Sequence, residues 1–89
     1  MSDTMLTMNK LREGEIAVVE KLMPELQLRV RLQDLGLIEG TAVECVRRSP
    51  FGDPTAFKIR GAVIALRESD SSQVLVRRYP RGDGEDGDR

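Results

Sequence analysis

Apolar side chains along this 89-residue chain fall into short runs, many with a period near two and closed by Gly or Pro. Ile16–Glu20 is rich in β-branched residues and predicts a strand that continues toward Leu22 before Met23-Pro24 breaks it. Thr41–Arg48 predicts a second strand, with Val43, Cys45 and Val46 as its apolar positions. Thr55–Arg60 alternates Phe57 and Ile59 against Lys58 and Arg60, which buries one face. Gly61 then points to a tight bend or bulge rather than an open hairpin, and Ala62–Leu66 follows as a strand apolar on both faces. Val74–Arg78 is the last strand. Between the strands, Met8–Leu11 fits one helical turn after Thr7, and Arg67–Gln73 fits a short helical turn or a loop. Glu25–Leu35 carries both periods. Leu26, Leu28, Val30 and Leu32 alternate, but Leu28, Leu32 and Leu35 lie at helical spacing. Good helix formers, Pro24 and Glu25 at the start, and Gly36 at the end favour a helix.

About five short strands and one helix predict a small, mainly β barrel. Its expected core is Ile16, Val18, Leu28, Leu32, Leu35, Leu37, Val43, Val46, Phe57, Ile59, Ile64, Leu66, Val74 and Val76. Residues 1–7 are expected to be a flexible lead-in, 8–79 the domain, and 80–89 a disordered acidic tail. That tail has four acids and two bases, so the overall net charge of −1 leaves the rest at +1. Neither value creates a strong field for nucleic acid, and stacking aromatics are nearly absent. With no His, there is no imidazole base and no His-containing triad. A single Cys excludes an internal disulfide and suits a reducing compartment. Apolar runs are too short to span a bilayer, and no secretory leader pattern opens the chain, so a cytoplasmic protein is expected.

Arg31-Leu32-Gln33-Asp34-Leu35-Gly36-Leu37-Ile38-Glu39-Gly40-Thr41 resembles the R-L-x-x-L-G-L-x-x-G-T signature of the FeoA family, ferrous iron transport protein A. In register after it come Pro50-Phe51-Gly52-Asp53-Pro54, similar to the family's P-x-G-D-P loop, then Arg60-Gly61 and Ala65-Leu66-Arg67. The resemblance covers roughly Leu11 to Arg78. It departs from the family at Met23-Pro24, at Ser69-Asp70-Ser71-Ser72, and in the added acidic tail. It implies an SH3-like barrel with an inserted helix. It also implies a cytosolic accessory that binds the ferrous iron transporter FeoB, in its G-domain region, and modulates Fe²⁺ uptake. The alternative is a free-standing regulatory domain related to the C-terminal barrel of iron-dependent repressors.

No catalytic group, cofactor or selective metal site is expected. Gly52-Asp53 and the tail carboxylates could bind divalent ions weakly, but selective Fe²⁺ sites usually add imidazole. Leu35-Gly36-Leu37-Ile38 reads first as a helix cap with its apolar contact, and second as an exposed patch that docks a partner. The Pro50–Pro54 loop reads first as a rigid connection, and second as a partner-reading loop tipped by Phe51. Arg47 and Arg48, with Arg77 and Arg78, read first as solvated faces; strands lying side by side would join them into a patch for an acidic partner. Cys45 reads as a small buried hydrophobe rather than a reactive thiol. The candidate partner-binding residues are therefore Leu35, Leu37, Ile38, Phe51, Arg47 and Arg48. Unpaired strand edges would permit a homo-oligomer.

Overall fold

The computed structural model describes residues 5–78, so the acidic tail expected at 80–89 lies outside the described residues. The strands are β1 (Met5–Thr7), β2 (Ile16–Leu22), β3 (Ala42–Arg48), β4 (Thr55–Ile59), β5 (Ala62–Leu66) and β6 (Val74–Arg78). Helix α1 is Arg29–Asp34, α2 is Glu68–Ser71, and Met8–Lys10 is a 3₁₀ turn. All strands are antiparallel, in the order β1-β6-β2-β3-β4-β5. The mainly β architecture with short helices agrees with the sequence reading, with six strands in place of about five. The additional strand is β1, whose Met5–Thr7 pair with Leu75–Arg77 of β6. These residues therefore belong to the sheet and not to a flexible lead-in.

Two bulges set which side chains face inward. In the β3–β4 ladder, Cys45 pairs with Phe57 and Arg47 with Ala56, so Val46 is the extra residue. The bulge keeps Val43 and Cys45 inside and turns Val46 out, where it is 40% exposed. In the β2–β6 ladder, Val19 pairs with Val76 and Lys21 with Leu75, which makes Glu20 the extra residue. Along β2 the parity is opposite to the expectation. Ala17 and Val19 are buried, Val18 is half-buried, and Ile16 is exposed. Four consecutive apolar residues, Ile16–Val19, contain no period-two signal to choose a face.

The core gathers residues from the sheet and from what covers it. Phe57, Ile59, Val43, Cys45, Val74 and Val76 come from strands; Met8 and Leu11 come from the 3₁₀ turn; Leu26, Leu32 and Leu37 flank or belong to α1. Each such large side chain stabilises the fold by about 1.5–3 kcal/mol on burial. Leu28 and Ile64 pack against this core only in part, and Leu35, expected inside, is exposed.

The helix is shorter than the Glu25–Leu35 expected. Residues before Arg29 form turns, held by Leu26 N–H to the Met23 carbonyl at 3.1 Å and Arg29 N–H to the Leu26 carbonyl at 3.2 Å. This path lets Leu26 reach the core. The break at Gly61 is a hairpin after all: Ile59 pairs with Ala62 across Arg60-Gly61. Both turn residues have positive φ, +50° and +86°, matching the twist of a two-residue hairpin.

Candidate docking surface

The Leu35–Thr41 corner follows from the end of α1. The Leu37 N–H bonds the Leu32 carbonyl at 2.9 Å, and the Gly36 N–H bonds the Gln33 carbonyl at 3.0 Å. These are the two bonds of a Schellman cap, with Gly36 at φ +106°. Leu37 then drops fully into the core. The Thr41 hydroxyl holds the far side of the corner, donating to the Gly36 carbonyl at 2.7 Å and accepting from the Ile38 N–H at 3.3 Å. The L-G-L-x-x-G-T spacing is thus a self-contained corner. Leu37 is not available to a partner, which corrects its place among the candidate residues. Leu35 and Ile38, on either side of it, remain exposed at 42% and 48%.

The Arg60-Gly61 hairpin closes onto this corner. The Arg60 side chain lies so close to Gly36 that a Cβ there would sit 2.1 Å from Arg60 Cδ. Between α1 and β5 runs a groove of about 480 Å³, with Leu28, Leu32 and Leu35 on the helix side and Val63–Leu66 on the strand side. Val63 is 60% exposed. Arg31 is the one charged residue lining it. Sequence reasoning placed Leu35 on this surface but missed Val63 and Arg31. The two-sided apolarity of β5 is the signal, since a strand apolar on both faces leaves one of them for something other than the core.

Phe51 and the arginines lie elsewhere. Phe51 is 93% exposed at the tip of the β3–β4 loop, at the opposite end of β4 from Arg60. The loop is held by the Gly52 N–H to the Ser49 carbonyl at 2.8 Å. Asp53 accepts the Glu68 N–H at 2.8 Å, tying the loop to the start of α2. The alternative in which the two arginine pairs join into one patch does not hold, because β2 lies between β3 and β6. Arg77 pairs with Glu20, and Arg78 Nε meets Glu15 Oε2 at 2.9 Å. Arg48 turns to the backbone, where its Nη1 donates to the carbonyls of Leu11 at 2.7 Å and Asn9 at 3.2 Å. Of the four, Arg47 stays exposed with no ion pair among the described residues.

Two titratable groups have shifted pKa values. Burial pushes the Cys45 thiol up, outweighing the nearby Arg48 charge, as suits a small hydrophobe packed in the core. Burial raises Glu15, but the Arg12 N–H, the Arg78 hydrogen bond and the two arginine charges outweigh it and hold the carboxyl below its ordinary value. Among the described residues no cluster of three or more Cys, Asp or Glu side chains is placed to hold a metal ion. No described helix is long and apolar enough to cross a membrane.

A curled six-stranded antiparallel sheet, capped by short helices and bearing an apolar groove, is a small SH3-like domain. Residues 6–78 match the FeoA domain model, and the chain belongs to that family. A relative from Porphyromonas gingivalis, an Fe(2+) transport protein A/Fe(2+) transporter FeoB fusion protein, is 24% identical over 71 residues. These cover 80% of this chain, while the chain spans only 8% of the length of that relative. The solution structure of FeoA from Chlorobium tepidum superposes with a TM-score of 0.79 at 28% identity, covering 84% of this chain and 71% of that one. Zinc-complexed FeoA of Stenotrophomonas maltophilia, described as a procaryotic SH3 domain protein, gives 0.71 at 29% identity over 80% and 88% of the two chains. A manganese-dependent transcriptional repressor shares the fold alone, with a TM-score of 0.75 at 14% identity over 89% of this chain and 44% of that one.

Proposed function

We propose that this chain is a non-enzymatic accessory of ferrous iron uptake, acting in the cytoplasm by docking on the soluble region of an FeoB-type transporter. The carrying observation is the P. gingivalis relative, in which a transport protein A segment and the transporter FeoB form one polypeptide. Fusion keeps two domains at high effective concentration, which favours pairs that act in contact. The exposed apolar residues Leu35, Ile38, Val63 and Phe51 support docking, since such side chains are common interface anchors. The absence of His throughout the sequence supports action on a transporter rather than carriage of the metal. The test is a pull-down with the transporter's G domain, with and without guanine nucleotide, beside Fe²⁺ uptake in a deletion strain. Nucleotide-sensitive capture and reduced uptake are expected. No capture in either state, with normal uptake, overturns the reading.

The repressor-like fold favours a second reading, a regulatory barrel that contacts a DNA-binding protein. Under that reading the chain is captured by a helix-turn-helix regulator and not by the transporter.

A further inference from the structure

The groove between α1 and β5 has the architecture of a strand-addition site. β5 ends the sheet: it pairs with β4, and no described strand pairs with its other side. Because Ile59 and Ala62 flank a two-residue turn, they form the hydrogen-bonded pair that closes the hairpin, and bonding alternates from there. Ala62, Ile64 and Leu66 therefore turn their backbone groups to β4. Val63 and Ala65 turn theirs outward, along the groove. The opposite wall is Leu28, Leu32 and Leu35, spaced to line one side of α1. A free edge facing an apolar helix wall offers backbone hydrogen bonds on one side and side-chain pockets on the other.

We propose that this groove binds an extended peptide segment that pairs with β5 and carries apolar side chains at alternate positions and a carboxylate for Arg31. The carboxylate follows from charge: Arg31 is the one charged residue of the lining, no acid lines it, and it has no ion pair among the described residues. A second copy of this chain fits less well, because its own free edge, Ala62–Leu66, has no carboxylate. The inference deepens the docking reading above, since the transporter's soluble region is the natural source of such a segment, but the groove can be tested without the transporter.

The probe is a phage-displayed library of random 12-residue peptides selected on the full chain. The best peptide is then synthesised and titrated into isotope-labelled protein. Selected sequences with alternating apolar residues and an Asp or Glu are expected, together with slowed hydrogen exchange at the Val63 and Ala65 amides. Ala65→Pro removes one outward N–H without touching the β4 ladder, so it should keep the fold and weaken binding about tenfold. Arg31→Glu should shift selection toward basic peptides. The proposal is overturned if no peptide is selected, if shifts map to the Phe51 loop, if Ala65→Pro binds unchanged, or if β5 pairs with a second copy instead. Those results leave transporter capture free to succeed through another face, and failed capture leaves the peptide result standing.

Discussion

Gly36 and Arg60 meet where two local constraints coincide. Gly36 must reach φ +106° to cap α1, and its missing Cβ leaves room for the Arg60 stem. Gly36→Ala should cost about 2 kcal/mol by urea denaturation, from backbone strain and from displacing Arg60. In an Arg60→Ala background the displacement disappears and only the strain remains, so the cost should be smaller. An equal cost in both backgrounds would show that Arg60 yields freely. Glu15 provides a second test at this scale. Its carboxyl titrates below 4.5 in the folded chain. The stability it contributes is therefore present above about pH 4.5 and is lost as pH falls through the lower folded value. Glu15→Gln should be less stable than the parent at pH 7, with the gap closing on acidification below 4.5. A gap that does not change with pH would mean the two arginine contacts do not favour the charged form.

At the level of elements, the β3–β4 loop is more than a connection. Asp53 accepts the first N–H of α2 from 15 residues upstream in the chain, so one carboxylate fixes a loop and a helix start together. Asp53→Ala should cost about 1 kcal/mol, within the range of a lost helix cap, and should speed hydrogen exchange in α2. Unchanged stability and exchange would show that the helix start finds another acceptor. Much at this scale was legible in the sequence. Three element boundaries near a Gly or Pro were readable because those residues act locally: Met23-Pro24 ends β2, Gly36 caps α1, and Ser49–Pro54 separates β3 from β4. β1 was not readable. Met5–Thr7 has no alternation to recognise, and its partner lies some 70 residues away in β6. Val46 shows the same limit, since a bulge is decided by the neighbouring strand and not by the residue that it turns outward.

At the scale of the molecule, the sheet is left with two edges, β1 and β5, because no ladder joins them among the described residues. The α1–β5 groove lies along one of them, and the Phe51 loop stands at the far end of β4. The candidate partner-binding residues thus fall at two separate places, and Arg48, Arg77 and Arg78 are taken up in internal contacts. Removing residues 80–89 should leave the melting temperature within about 4 °C, as expected of ten residues with no aliphatic or aromatic side chain to bury. A larger drop in calorimetry would show that the tail docks on the domain. Sedimentation of the same pair of proteins should give one mass over the concentration range, and association that strengthens with concentration would point to pairing between strand edges.

The sequence by itself determined what depends on neighbours in the chain. It set the turns, the helix cap, the ordered motifs of the FeoA signature and the burial of Phe57, Ile59, Val43, Val74 and Val76, because backbone sterics and period-two alternation are local properties. Tertiary structure alone decided the parity of β2, where four apolar residues in a row suit either face until a partner strand chooses Ala17 and Val19. It alone decided that Leu35, expected in the core beside Leu37, is surface, because one turn of capped chain points the two different ways. It also made β5 an edge of the sheet. Two-sided apolarity describes a strand between two layers and a strand beside an empty groove equally well, and only the arrangement of the other elements separates them.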